Sequence, residues 1–229
     1  MQRADLMNIV TDLLLSALAL RLALGLLPTA RRLREFAIRY WFGAFIGVAA
    51  SGLLAGTFHA FAAEMDPRTS ALIWTVSMAL AIAASFLFLI GTLHAYTSGR
   101  LLGWLAGGAV TKFVLFAMWA TVNDDFRLVI YDSGLTLAAM LLMASWLAWL
   151  QREPSAPWIL AGVMTAMVAA LFQQGRVSIH RYFNHNDLYH VIQMGALYCF
   201  YRAGGLLRDK DPNAPDFEAT QPLPIIGEE

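Results

Sequence analysis

"SALIWTVSMALAIAASFLFLIGTLHAY", residues 70–96, decides the fold. From Ser70 to Leu93 it carries no charged side chain. About 20 such residues, rising ~1.5 Å each in a helix, cross the ~30 Å hydrocarbon core of a bilayer. Lipid offers the backbone no hydrogen-bond partner, so a spanning segment of this kind must be helical. Six further stretches read the same way, at 6–27, 38–63, 100–122, 126–149, 155–176 and 187–207. Their short connections make neighbours antiparallel. The expected architecture is therefore an all-α bundle of seven transmembrane helices over residues 1–207. The remainder, "RDKDPNAPDFEATQPLPIIGEE" at 208–229, is rich in proline and acid and is expected to form a disordered tail. Asp5 and Asp12 interrupt the N-terminal apolar stretch, which reads as a first membrane helix rather than a signal peptide.

Composition agrees with lipid as the solvent. Hydrophobic residues make up 59% and charged residues 14% of the 229 positions, and mean hydropathy is +0.57. Formal net charge is zero, so no basic field points to nucleic acid. Cys199 is the single cysteine, which excludes a disulfide framework or a cysteine metal cluster within one chain. Orientation follows from the loop arginines and lysine. Arg31, Arg32, Arg34, Arg39, Arg100, Arg152, Arg202, Arg208 and Lys210 fall on one side, against Arg3, Arg68, Arg127, Arg176 and Arg181 on the other. This excess places the N-terminus outside and the C-terminus in the cytoplasm, with a bacterial plasma membrane as the expected location.

Ionisable groups in or beside a membrane are costly and face a cavity or a partner. His59 near the end of the second span, His180, His185 and His190 around the start of the seventh, and Asp12 and Asp132 about two turns into the first and fifth all fall on the outer half. His94 stands apart at the inner end of the third. Imidazole is the commonest metal-binding side chain, and a catalytic zinc takes three protein ligands and a water. Two or three histidines of spans two and seven, with a carboxylate nearby, would supply such a set. His180 reads as a solvated loop residue. In a helix, residues five apart point ~140° away from each other, so His185 joins His190 only if the helix starts after it, with Asn186 or Asp187 as N-cap. Asp12 and Asp132 are each open between a structural bond and a proton-transferring role, and Lys112 reads as an acid's partner or a snorkelling side chain. Gln173 and Gln174 read as interhelical bonding groups.

Two segments carry a family resemblance: "AGTFHAF", 55–61, and "NDLYHVIQMGALYCFY", 186–201. They resemble the CREST superfamily of seven-helix membrane hydrolases, which includes alkaline ceramidases and the adiponectin-receptor and hemolysin III-type proteins. In that pattern a Ser-x-x-x-His pair ends helix 2, an aspartate lies on helix 3 and a His-x-x-x-His pair opens helix 7, the three histidines holding zinc. Here His59 and His190 take two histidine positions, Ala55 stands at the serine and Asn186 at the first histidine of helix 7, with His185 one step earlier. Helix 3 has no aspartate in its outer half, which leaves its task to Asp132 or Asp12. The resemblance implies a zinc-dependent hydrolase of lipid amides or esters. His59, His185 and His190 would hold the metal, Asp132 or Asp12 would orient or deprotonate water, and Thr57 or Asn186 would bind the oxyanion. Membrane lipids are the implied partners. Two other classes fit the same residues: a non-enzymatic seven-helix sensor that binds lipid, and a small transporter with an Asp12, Lys112 and Asp132 relay.

Overall fold

A computed structural model describes residues 3–150, 153–180 and 182–210. Seven helices follow one another: α1 Arg3–Leu33, α2 Phe36–Phe61, α3 Pro67–Tyr96, α4 Gly99–Ala120, α5 Arg127–Leu150, α6 Ala156–Gln174 and α7 His185–Gly204. Among the described residues there is no strand beyond an isolated bridge between His180 and Phe183. Six of the helices, α1 to α6, are long and apolar enough to cross a membrane, the pattern of a multi-pass membrane protein. α7 falls short on apolarity because it carries His185, Asn186, Asp187, His190, Gln193 and Arg202.

Small residues set how closely the helices approach. A Cβ at Gly47 of α2 would lie 3.0 Å from the Ala84 Cβ of α3, and one at Gly91 of α3 would lie 2.5 Å from Trp41 Cδ1 and 2.8 Å from the Ala37 carbonyl. That contact lets Trp41, fully buried, donate Nε1–H to the Phe88 carbonyl at 3.1 Å. Trp41, Phe88 and Phe200 then meet edge-on or tilted, with centroids 5.1–5.8 Å apart, the favoured geometry for aromatic pairs. α7 packs on α1 and α6, joining the two ends of the chain to one core. α4 lies at the edge: it buries only Ala109 and Ala120, and its Trp104 is 81% exposed, as suits a helix whose outer face meets lipid.

The helix ends are defined by local chemistry. Asp66 caps α3 by accepting from the Arg68 and Thr69 amides at 3.0 Å, with Pro67 in the first turn, where its missing N–H is no loss. Hydrogen bonding to Thr69 and to the Arg68 amide holds the Asp66 carboxyl below its usual range. α7 starts at His185, not after Asn186. Asn184 is the N-cap, accepting from the Asn186 amide at 2.7 Å, and Asp187 Oδ2 accepts from the Asn184 amide at 2.7 Å to complete a capping box.

The segment after α7 also differs from expectation at its start. Asp209 accepts from the Phe36 and Ala37 amides at 2.8 and 2.7 Å, capping α2 from a distance, and the Lys210 amide donates to the His94 carbonyl at 3.0 Å. Residues 208–210 are thus docked on the bundle, because the otherwise unsatisfied amides at the α2 start donate to a carboxylate. The rest of the expected disordered tail, 211–229, lies outside the described residues.

Gly91→Ala forces a methyl into Trp41 and is expected to destabilise the bundle by about 1–3 kcal/mol. Gly134→Ala on α5, where nothing lies within 4 Å of the new Cβ, keeps or raises stability. Thermal unfolding of the two variants in detergent checks the contrast.

Candidate functional site

A cavity of about 280 Å3 runs down the bundle between α1, α2, α3, α5 and α7, with the end of α6 reaching it through Gln173. Its upper end is polar, lined by Asn8, Asp12, His59, Gln173, Asn186 and His190. Its lower end is apolar, lined by Leu15, Phe88, Leu137, Met140, Leu197 and Phe200. At this volume it stands at the lower edge of the ~300–1,000 Å3 typical of small-molecule pockets.

Asp12 is the hub of the polar end. α1 rides close on α2 because Gly52 and Gly56 leave space: a Cβ at Gly56 would lie 3.2 Å from Asp12 Cβ, and Ser16 one turn on donates to the Ala49 carbonyl at 2.6 Å. His59, three residues after Gly56, shares its helix face. Its Nε2 lies 3.8 Å from Asp12 Oδ2, and its ring rests 5.9 Å from that of Trp74. From the other side, His190 Nε2 lies 3.4 Å from Asp12 Oδ1. Asp12 Oδ2 is buried and accepts no hydrogen bond. One buried carboxylate therefore stands between two imidazoles, within ion-pair distance of both.

The His190 ring is held from behind. Its Nδ1 is 3.1 Å from Thr11 Oγ1, and Thr11 reaches Asp187 Oδ1 at 3.2 Å and the Met7 and Asn8 carbonyls at 3.1 Å each. The hydroxyl has one proton and three oxygens to give it to, of which the carboxylate attracts it most strongly. The same hydroxyl lies against Nδ1 of His190, so Thr11 ties that ring to Asp187 and to the first turns of α1. Asp187 performs two tasks, capping α7 with one oxygen and fixing Thr11 with the other.

The structure distributes the expected site residues unevenly. It brings together Asp12, His59 and His190, and places Asn186 on the cavity wall, where its Oδ1 accepts from Gln173 Nε2 at 3.3 Å. Gln173 is thus the interhelical bonding group expected, while Gln174 is exposed. His185 is in the first turn of α7, and five residues of regular helix turn it ~140° away from His190. Among the described residues no group of three histidine, cysteine, aspartate or glutamate side chains is arranged to hold a metal ion. The set His59, His185 and His190 is not assembled. Thr57 bonds back to the Leu53 carbonyl at 2.8 Å and lies outside the cavity lining. Asp132 is buried elsewhere, paired with Lys112 of α4. His180 sits in an exposed loop, its Nδ1 accepting from the Tyr182 amide, and His94 stacks between Phe36 and Tyr40 at the far end.

Several residues escaped the sequence reading: Asn8, Thr11, Asp187 as an orienting group, Tyr189 and Gln193. A signal was present. Asn8, Thr11 and Asp12 stand at i, i+3 and i+4, and Asn186, His190 and Gln193 at i, i+4 and i+7, two polar stripes at helical spacing.

Thr11→Val removes the Nδ1 partner and is expected to shift the tautomer balance of His190. Ring 15N shifts of labelled histidine report this, and they stay unchanged in Ser16→Ala, whose hydroxyl only ties α1 to α2.

No curated protein and no solved structure matches the chain. A family model does match, over residues 7–209, and by that match the chain belongs to the family of unknown function DUF6962.

Proposed function

We propose that this protein is an integral-membrane hydrolase that cleaves an ester or amide of a single-chain, lipid-like amphiphile. The observation that carries this reading is a buried carboxylate set between two imidazoles at the polar end of a cavity whose other end is apolar. An amphiphile enters such a cavity chain first and leaves its carbonyl beside Asp12. The placement of His59 and His190, which resembles that of the CREST hydrolases, supports the same class.

With Nδ1–H donated to Thr11, His190 Nε2 takes the proton of a water held beside Asp12 as its oxygen attacks the carbonyl carbon. Asp12 stabilises the imidazolium so formed. Asn186, whose Oδ1 is engaged by Gln173, keeps its N–H groups as donors to the oxyanion. As the carbon–oxygen or carbon–nitrogen bond breaks, the leaving atom takes the proton that His190 carries, which returns the ring to its neutral form, while His59 lies against the other oxygen of Asp12. Two imidazoles and a carboxylate are a donor set that zinc accepts in hydrolases. Here, however, each Nε2 faces its own oxygen of Asp12, and the donors do not converge on a common point, so the residues do not fit a zinc ion and no step is assigned to one.

Asp12→Asn and His190→Ala are expected to lower turnover of a chromogenic decanoyl ester in proteoliposomes by at least ~100-fold. His185→Ala leaves it unchanged. Binding of the ester without turnover in the native protein would make the cavity a lipid-binding or sensing site instead.

The proposal includes seven membrane crossings with the N-terminus outside. α7 is 20 residues long, enough for ~30 Å. His190 and Gln193 line the cavity while Val191 and Tyr198 face outward. Its polarity thus points inward, which supports a crossing helix that apolarity alone does not identify. Reporter fusions after Lys210 are expected to be active only as cytoplasmic reporters.

A further inference from the structure

A second polar group meets the cavity near its apolar end. Lys112 of α4 and Asp132 of α5 form a buried ion pair, their side chains 12% and 0% exposed. Asp132 Oδ2 has no hydrogen-bond partner. Lys112 Nζ lies 3.4 Å from Ser85 Oγ, and Ser85 Oγ lies 2.8 Å from Thr136 Oγ1. The pair itself is behind the wall, whereas Ser85 and Thr136 line the cavity. Higher in the cavity another two hydroxyls show what mere helix adhesion looks like. Ser51 and Ser77 each donate to the other's backbone carbonyl, at 2.9 and 3.0 Å, and are thereby satisfied. Ser85 and Thr136 have no such closed exchange. They share one hydrogen bond, Ser85 accepts a second from Lys112, and behind them lies a charged pair that is expensive to bury in an otherwise apolar bundle.

We propose that Ser85 and Thr136, backed by Lys112 and Asp132, form a subsite for a hydroxyl group on the far part of the ligand chain, so that the substrate class is a hydroxylated medium-chain amphiphile. This rests on the reading of the cavity as a chain-first amphiphile site. Lys112 and Asp132 cancel in charge, so the subsite suits a neutral group. A hydroxyl both donates and accepts, and so completes the Ser85 and Thr136 pair whichever of them donates to the other.

The helix register sets the position of that hydroxyl. Gly56 of α2 packs on Asp12, and Gly47 of α2 packs on Ala84, the neighbour of Ser85. Nine helical residues separate the two levels by about 13–14 Å. Saturated carbon with 1.52 Å bonds and 111° angles advances roughly 1.25 Å per bond when extended, so the subsite meets a chain about eleven bonds from the group at Asp12.

Three uncleavable ethers test this by binding to the full chain in nanodiscs: plain dodecyl, 6-hydroxydodecyl and 11-hydroxydodecyl. The 11-hydroxy ether is expected to bind about tenfold tighter than the other two, the worth of one hydrogen bond in a dry site. Ser85→Ala and Thr136→Val are expected to abolish that preference while leaving the affinity of the plain ether intact, which also shows that they fold. Equal binding of the three ethers, binding of none, or a preference that survives both substitutions overturns the subsite. Turnover of esters is scored separately: a preference retained without turnover refutes the hydrolase alone, and turnover without preference refutes the subsite alone.

Discussion

A carboxylate buried among apolar helices is the constraint around which this bundle is arranged. An isolated charge there is strongly unfavourable, so Asp12 needs partners from other helices. Gly52 and Gly56 let α1 close on α2 until His59 reaches one oxygen, and α7 brings His190 to the other. Three elements far apart in sequence are thus held to one point. The packing that achieves it, from Gly52 beside Ser16 to Gly204 beside Leu26 and Trp41, continues down the α1–α2 and α1–α7 seams.

The start of α7 connects folding to this site. Asn184 and Asp187 close a capping box, a local device that any isolated helix of this sequence would favour. Because Asp187 also engages Thr11, the cap ties α7 to α1 and, through Thr11, holds the ring of His190. One carboxylate therefore couples the beginning of a helix to the position of a ring one turn later. At the opposite end, Asp209 and Lys210 fasten the chain after α7 to α2 and α3, so both ends of α7 are fixed by hydrogen bonds.

The cavity lies between these two anchor points, and its gradient reflects the same economy of polar groups. Polar side chains concentrate where the helix ends can hydrate or pair them. Deeper polar groups occur in pairs, Ser51 with Ser77 and Lys112 with Asp132. What remains between them is apolar wall.

The apolar runs alone determined that the chain is helical and where six of the long helices lie, because hydrocarbon thickness and backbone bonding within a segment are local requirements. They also flagged His59, His190 and Asp12. They did not determine which titratable groups meet, because each residue turns a helix by ~100° and a shift of one or two residues in its start redirects every side chain. Asp12 and Asp132 both sit about two turns into their helices, yet one faces two histidines and the other a lysine. His185 and His190 stand five apart, and with Asn184 as the cap only His190 turns to the carboxylate. Depth was legible in the sequence, and azimuth was decided only when the helices packed.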